Sequence, residues 1–539
     1  MPQETEKAAS LQVATTKLGP LVFAGLLIIL AAFYAIRNRE WTFEDSFITY
    51  RYADNLRQGH GLVFNVGERH YGSTAMGFAI ILAACSWLLG PLGARYTDIH
   101  GIAQIFSATS VAALAWISYR IIGRLVPSPR AALAGATITA VYLFSDPASN
   151  FANGHETYPF LAILACGAYL LFFRSQYIAG AICLGVSSML RPDCALFVVL
   201  ALAMLAIRQQ FWRDLGWRQI GITATICALI GVAWISFTTL YFGSPIPETL
   251  VAKRAQVLLG HFPLFSLNLV ADEVRRLAPK ATAIVLLIGL GEVGYATIAI
   301  SRTPAEAQKI DLTVLAWSLS WVLFGGGLVL AYLSFKITYW HWYLLPVHFG
   351  LVMAAVATVP RVAMQRGRVA GVLFVMVSLV LAADAPRIAR DLSRWLHDRP
   401  VNQHVTSYDP IVAFLHAREP HGTTIATGEP GSLGWKLGPQ YLVVDELGLA
   451  SPNVARHLMV GDFDYPFVRW KPEYVIIANT GLFSPERRWW FEQAYRRVGE
   501  FPHPYWQATQ KRGALLFQRV ADPAALIAAG RGGGPRQLD

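Results

Sequence analysis

Ser73–Gly93 reads STAMGFAIILAACSWLLGPLG, and whether it crosses a membrane decides how the rest of the chain is laid out. It is close to the ~20 apolar residues that a spanning helix needs. Gly90, Pro91 and Gly93 interrupt its second half, as turn formers do. If the segment spans, Arg120, Arg124 and Arg130 lie outside, together with Arg361, Arg366 and Arg368. If it only lies along or dips into the outer leaflet, every later loop changes side. The basic loops 120–130, 208–218, 302–309 and 361–368 then all become cytoplasmic, as the positive-inside rule requires. The second reading is preferred, and it predicts a non-spanning segment.

Outward from this segment the chain is dominated by apolar runs. Leu18–Ile36 carries no charge and, at about 19 residues, is long enough to span, with neither the short core nor the cleavage site of a signal peptide. Further runs lie at 101–123, 130–145, 157–173, 177–190, 194–207, 219–242, 281–300, 312–333, 343–359 and 369–384. Without 73–93 they predict about eleven spans, one for each run of spanning character. The N-terminus is then cytoplasmic and everything after Ala385 extracytoplasmic. The expected division is a membrane domain at 1–385 with a first outer loop at 37–100, an α/β domain at 386–521, and a disordered tail at 522–539 rich in Ala, Gly and Pro.

Composition agrees with this reading. The chain of 539 residues is 54% hydrophobic and 15% charged, against about 25% charged in a soluble protein. Its net charge of +11 sits largely in short loops beside apolar runs and comes with no recognition motif, so nucleic acid is excluded as a partner and the bilayer takes its place. Cys85, Cys166, Cys183, Cys194 and Cys227 all fall in apolar segments with neither metal spacing nor a disulfide framework, and read as small buried hydrophobes.

The loop that breaks the positive-inside rule begins at Trp41 as WTFEDSFITYRYADNLRQGHGLVFNVGERHYGSTAMG. Glu44 and Asp45 follow directly on a span. Phe47, Tyr50, Arg51 and Asn55 recur at helical spacing, so 45–57 is predicted to be an amphipathic helix on the membrane surface, ended by Gly59 and Gly61. Taken alone, the acid pair reads as helix-capping carboxylates. The arginines, histidine and glycines around it argue for a site.

The run from Glu44-Asp45 through Tyr50-Arg51 to Gly59-His60-Gly61-Leu62-Val63-Phe64-Asn65-Val66-Gly67-Glu68-Arg69 resembles the GT-C glycosyltransferases that use polyprenyl-phosphate sugars, and among them the mycobacterial terminal β-(1→2) arabinofuranosyltransferase type. Further elements match in order. They are Gly154-His155-Glu156-Thr157, Arg191-Pro192-Asp193, Tyr241-Phe242-Gly243 with Pro247-Glu248-Thr249 and Ala252-Lys253, and Trp342-Tyr343-Leu344-Leu345-Pro346. After residue 385, Gly431-Ser432-Leu433-Gly434 and Val444-Asp445-Glu446-Leu447-Gly448-Leu449 resemble the family's Gly-x-x-Gly and Asp-x-x-Gly-Leu. One departure is clear: Tyr71 replaces a second acid, and Ser73-Thr74-Ala75-Met76 stands in place of Tyr-Thr-Asn-Pro. That departure leaves the sugar open.

The resemblance implies a bacterial plasma-membrane enzyme of the cell envelope, transferring a sugar such as arabinofuranose from polyprenyl phosphate to a glycan or glycolipid acceptor. It implies an inverting displacement with Asp45 as general base, since the family carries its catalytic acid in this loop, and Glu44 beside it. Phosphate leaves without a protonating acid. The topology gathers Glu156, Arg191, Asp193, Lys253, Arg254, Lys336 and His341 on the same outer side, where charges at span ends point to a site. Glu44, Glu156 and Asp193 are expected at sugar hydroxyls or beside the cations, with Arg51 and His60 of the first loop in the donor set. Lys253 with Arg254, or Lys336 with His341, are expected at the donor phosphate; for Lys253 and Arg254 the alternative is snorkelling to head groups. No cofactor is fixed by the sequence. Asp45 and Glu156 are candidate ligands for a divalent metal, which takes hard oxygen donors. For Arg191 the alternative is a structural ion pair with Asp193, and for Trp340, Trp342 and Tyr343 an interfacial aromatic belt.

Residues 386–521 alternate strand-like runs (Thr424–Thr427, Tyr441–Asp445, Tyr474–Ala478, Ala514–Arg519) with helical stretches such as 485–497. No dinucleotide fingerprint occurs there. Acceptor binding and a cap over the site both remain open for this domain. Two other functions compete with catalysis: a lipid-linked sugar flippase, which calls for inverted repeats that the sequence does not display, and a non-catalytic polyprenyl-binding scaffold.

Overall fold

The computed structural model describes residues 2–93, 98–126, 128–145, 153–213, 215–258, 260, 263–277, 305–365, 393, 397, 402–478, 484–504 and 513–531. The long apolar runs form helices: α1 (Pro2–Arg37), α4 (Ile99–Leu125), α5 (Pro129–Ser145), α6 (Thr157–Arg174), α7 (Tyr177–Leu190), α8 (Cys194–Trp212), α9 (Trp217–Phe242), α12 (Ala305–Phe335) and α13 (Leu345–Gln365). Between them lie α2 (Ser46–Arg57), α3 (Met76–Leu89), α10 (Thr249–Leu258) and α11 (Leu267–Leu277). Within α1, α4, α6, α8, α9 and α12, six stretches are long and apolar enough to cross a membrane, and shorter apolar helices stand among them. The protein is therefore a multi-pass membrane protein. The predicted spans at 281–300 and 369–384 lie outside the described residues.

Ser73–Gly93 folds as α3 followed by a single 3-10 turn at Gly90–Leu92. At 14 residues, α3 rises only about 21 Å, short of a ~30 Å hydrocarbon core. The chain also enters α4 at the end where it left α1: Gln104 Nε2 donates to the carbonyls of Asn38 and Arg39 at 3.0 and 2.8 Å, and Thr42 Oγ1 lies 2.7 Å from His100 Nε2. Segment 38–98 thus makes no net crossing. The opposite end of the bundle carries the Arg361–Asp311 pair at 2.5 Å. The predicted surface helix is α2, and Gly59 and Gly61 end it in the left-handed region (φ 86° and 91°).

After the bundle, β1 (Thr424–Thr427), β2 (Leu442–Asp445), β3 (Tyr474–Ile477), β4 (Tyr495–Phe501) and β5 (Ala514–Arg519) form one sheet in the order β2-β1-β3-β5-β4. The first three are parallel, while β5 runs antiparallel to both β3 and β4. Of the helices around it, α14 (Asp409–Arg418), α15 (Pro430–Leu437) and α16 (Val454–Met459) matter below. The expected helix at 485–497 is corrected: a 3-10 turn and four helical residues, Phe491–Ala494, lead into strand β4. The override is tertiary, because β4 pairs along β5 from Tyr495↔Arg519 to Phe501↔Ala514. The tail also differs from expectation in its first part. Pro523–Arg531 is helical, and Ile527 is buried against Trp490 and Phe491 of the second core.

Candidate active site

At the end of the bundle next to the sheet domain, a cavity of about 580 Å³ is lined by Asp45, His155, Glu156, Arg191, Asp193 and Lys253. Three of its acids occupy the same position relative to a helix. Asp45, Glu156 and Asp193 are the N-cap residues of α2, α6 and α8, and none makes a side-chain cap hydrogen bond. The capping alternative fails for Asp45, and Glu156 and Asp193 share its arrangement: each carboxylate is turned to other partners while the positive ends of three helices face the same space.

Local sequence explains the geometry. Pro192 disfavours the helical conformation at the residue before it, so α7 stops and Arg191 is extended (φ −149°, ψ 126°). Its guanidinium grips Asp193 through Nε (3.1 Å) and Nη2 (2.8 Å), and reaches Glu156 Oε1 through Nη1 at 3.1 Å. Tyr332 donates to Asp193 Oδ2 at 3.1 Å, and His155 Nδ1 lies 3.0 Å from Glu156 Oε2. Burial would raise the Glu156 carboxyl, but His155 and Arg191 outweigh it and hold it below its ordinary value. The predicted Arg191–Asp193 pair is present and also forms part of the cavity wall. Gly154, at φ 74°, lets Tyr50 approach: Tyr50 donates to its carbonyl at 2.7 Å, and a Cβ there would meet that hydroxyl at 2.2 Å.

Across the cavity, Lys253 Nζ stands 3.5 Å from Asp45 Oδ2 and 4.8 Å from the centre of the Trp340 ring. Trp340 stacks on Trp342 at 5.0 Å, and Trp342 lines the cavity. A further wall is apolar, made by Gly231, Trp234 and Ile235 of α9 with Pro245, Ile246 and Pro247. α9 exposes Leu229, Val232 and Leu240 on its outer face, so this wall belongs to a helix bared to lipid.

The remaining sequence-predicted residues are elsewhere. Arg51 is corrected from donor binding to structure. It is buried, and its guanidinium donates to the carbonyls of Phe64 (2.7 Å), Tyr441 (2.6 Å) and Gly434. Burial lowers its pKa to about 9. Glu44 is turned from the cavity to the sheet domain, accepting the Ser432 N–H at 2.9 Å. His60, Arg254 and Lys336 are exposed and do not line the cavity. The side chain of His341 lies outside the described residues. As a metal pair, Asp45 and Glu156 do not fit: both oxygens of Glu156 are engaged by Arg191 and His155, and among the described residues no group of three or more His, Cys, Asp or Glu could hold an ion.

Residues that sequence reasoning missed include Tyr332, Trp234 and Leu449. Tyr332 and Trp234 sit in apolar runs where nothing marks them. Leu449 did have a signal, the Asp-x-x-Gly-Leu element. Asp445 accepts the N–H groups of Leu447 (2.8 Å), Leu449 (2.5 Å) and Ala450 (2.8 Å), and this turn presents Leu449 to the cavity.

A bundle with this cavity at one end, roofed by a sheet domain, is a membrane protein of the GT-C fold. Two solved structures share that fold. ArnT from Cupriavidus metallidurans in the apo state superposes with a TM-score of 0.53 at 12% identity, covering 97% of this chain and 100% of that one. The archaeal oligosaccharyltransferase AglB from Archaeoglobus fulgidus, in complex with an inhibitory peptide and a dolichol-phosphate, gives 0.50 at 9% identity, covering 86% of this chain and 69% of that one. In sequence, the chain is similar to the terminal β-(1→2)-arabinofuranosyltransferase of Mycobacterium tuberculosis, 32% identical over 232 residues. That match spans 40% of this chain and 36% of the mycobacterial protein. Residues 394–520 match a family described as a domain of unknown function, DUF8728.

Proposed function

We propose that the protein is an inverting glycosyltransferase that moves a sugar, arabinofuranose being the first candidate, from a polyprenyl-phosphate donor to a glycan or glycolipid acceptor outside the bacterial plasma membrane. The observation that carries this reading is the cavity itself: one apolar wall beside lipid, three helix N-termini, and a carboxylate and an ammonium paired at 3.5 Å in its lining. The donor has matching parts. Its isoprenoid tail lies along α9, its phosphate meets Lys253 and the helix N-termini, and its sugar reaches the Arg191 network. The similarity to a named arabinofuranosyltransferase and the dolichol-phosphate in AglB support the same class.

In this mechanism Asp45 accepts the proton of the acceptor hydroxyl as its oxygen attacks the anomeric carbon on the face opposite the phosphate. As the donor binds, the Lys253 ammonium turns from Asp45 to the phosphate and frees the carboxylate to take the proton; the bond from the anomeric carbon to the phosphate oxygen breaks, and the phosphate departs as an anion. Arg191 fixes Glu156 and Asp193 in the wall that meets the sugar hydroxyls. The N-terminus of the chain is cytoplasmic and the sheet domain extracytoplasmic, which leaves the basic loops 120–130, 208–218 and 361–368 inside. The test offers a panel of polyprenyl-phosphate sugars to the purified, lipid-reconstituted protein with a glycan acceptor. Turnover with one of them identifies the sugar. Binding of every donor without turnover would leave the scaffold reading in possession, and movement of intact donor across vesicles would establish a flippase.

A further inference from the structure

The sheet domain grips both halves of the Asp45–Lys253 pair, each through its own contact. On the Asp45 side the link is Glu44, one residue earlier in the chain. Its Oε1 accepts the Ser432 N–H at 2.9 Å in the first turn of α15, so a carboxylate of the membrane domain sits at a helix N-terminus of the sheet domain. The fit is close: a Cβ on Gly431 would fall 2.3 Å from the Glu44 carbonyl oxygen and 2.7 Å from each carboxylate oxygen. On the Lys253 side, Glu248 at the start of α10 pairs with Arg456 of α16 at 2.8 Å, and Ala255 of α10 is buried against Val454 and Leu458 of α16. Between the two grips, the carbonyl of Leu449 meets His70 Nε2 at 3.1 Å.

We propose that the domain at residues 394–520 is an active-site clamp, and that Glu44 is a positioning residue whose contact with Ser432 fixes Asp45 for proton transfer. This rests on the reading of Asp45 as the base. Glu44 and Asp45 are neighbours with divergent side chains, one docked and one in the cavity, so freeing the first lets the second wander. A displacement of about 1 Å at a reacting group can cost on the order of 100-fold in rate. The contact needs an acceptor oxygen and not a charge, which separates positioning from chemistry.

The experiment compares Glu44→Ala, Glu44→Gln and Gly431→Ala in the reconstituted full chain. It measures kcat, acceptor KM, affinity for a non-transferable donor analogue, and hydrogen exchange over residues 430–437. Glu44→Ala and Gly431→Ala are expected to lower kcat roughly 10- to 100-fold with acceptor KM and donor affinity near wild type, and to speed exchange at the start of α15. Glu44→Gln, which keeps the acceptor oxygen, is expected to restore both kcat and slow exchange. Loss of activity in Glu44→Gln with exchange still slow would overturn the proposal, since Glu44 would then act through its charge. So would faster exchange in Glu44→Ala at wild-type kcat, or a change confined to acceptor KM. If wild type transfers no sugar, the function proposed above fails, while exchange still reports whether Glu44 holds α15.

Discussion

Two buried arginines, Arg51 and Arg191, look alike in sequence and do opposite things. Arg51 faces backbone carbonyls from two parts of the chain and ties the first loop to the sheet domain. Arg191 faces two carboxylates, and all three residues line a cavity. A buried guanidinium whose acceptors are neutral main-chain oxygens serves as a joint. One whose acceptors are acids lining a cavity sets the electrostatics of a site. The same division separates Glu44 from Asp45. Substitutions on the joint side should lower stability or alignment, and substitutions on the cavity side should lower turnover or binding with the fold intact.

The largest effect expected on the cavity side is that of Asp45→Asn. It keeps size and hydrogen bonding but cannot take a proton, so the transfer rate should fall by about 10²–10⁴-fold. Affinity for a non-transferable donor should survive, because the tail and phosphate contacts lie on other residues. A near-wild-type rate would remove Asp45 from the role of base and would make Glu156 the next residue to test.

On the joint side, Arg51→Ala strands the carbonyls of Gly434 and Tyr441 in a buried interface, while that of Phe64 keeps the Asn55 Nδ2 donor at 2.9 Å. At roughly 1–3 kcal/mol for each of these two groups, about 2–6 kcal/mol of stability should be lost. Arg51→Lys should recover little of it, because the three N–H groups of an ammonium radiate from one nitrogen and cannot span acceptors that Nε, Nη1 and Nη2 reach separately. Denaturation of the detergent-solubilised chain reads this directly. A variant that is stable but inactive would break the comparison, because Arg51 would then belong with Arg191.

The sequence made much of this legible, for physical reasons that also mark its limits. The shortness of α3 could be read because Gly90, Pro91 and Gly93 cut an apolar run short. The acids of the first loop, Glu156 and the Arg-Pro-Asp element could be read because charge at a span end is costly. What could not be read was the direction of side chains. Glu44 and Asp45 differ by one position yet point to different domains. Arg51 and Lys253 both looked like cations available to phosphate, but only Lys253 faces the cavity. Strand β4 was hidden by a polar, aromatic stretch that pairs only because β5 lies beside it.

Glu446 gives a pH test of the joint side. Burial, with help from Asp445, raises its pKa to about 8, and burial lifts Asp445 to about 6. In the folded protein Glu446 therefore keeps a proton that the unfolded chain releases once pH passes its ordinary value of 4.5. Stability should be fullest below that pH and decline as pH rises through about 8. Glu446→Gln cannot ionise, so it should flatten the decline between pH 6 and 8, where Asp445 no longer contributes. Its thermal midpoint should exceed that of wild type at pH 8, by about 4–8 °C for each kcal/mol in a small domain. Near pH 4.5 the two should coincide. A midpoint lower than wild type at pH 8 would show that Glu446 is ionised and paired in the folded state.

The smallest effect sharpens the comparison most, because it compares adjacent residues of one helix. Lys253→Ala and Arg254→Ala each remove one positive charge from α10, so any general attraction between the protein and an anionic donor weakens equally. They differ in what the charge touches: Lys253 is buried opposite Asp45, and Arg254 is exposed. A charge-assisted hydrogen bond to phosphate contributes about 1.5–3 kcal/mol, so Lys253→Ala should weaken binding of a non-transferable donor roughly 10- to 100-fold. Arg254→Ala, as a surface change of about 0.5 kcal/mol or less, should stay within about twofold. Equal weakening in both, abolished by added salt, would mean that α10 attracts the donor or the lipid head groups through diffuse charge. Unequal weakening that persists in salt assigns the phosphate contact to Lys253 alone.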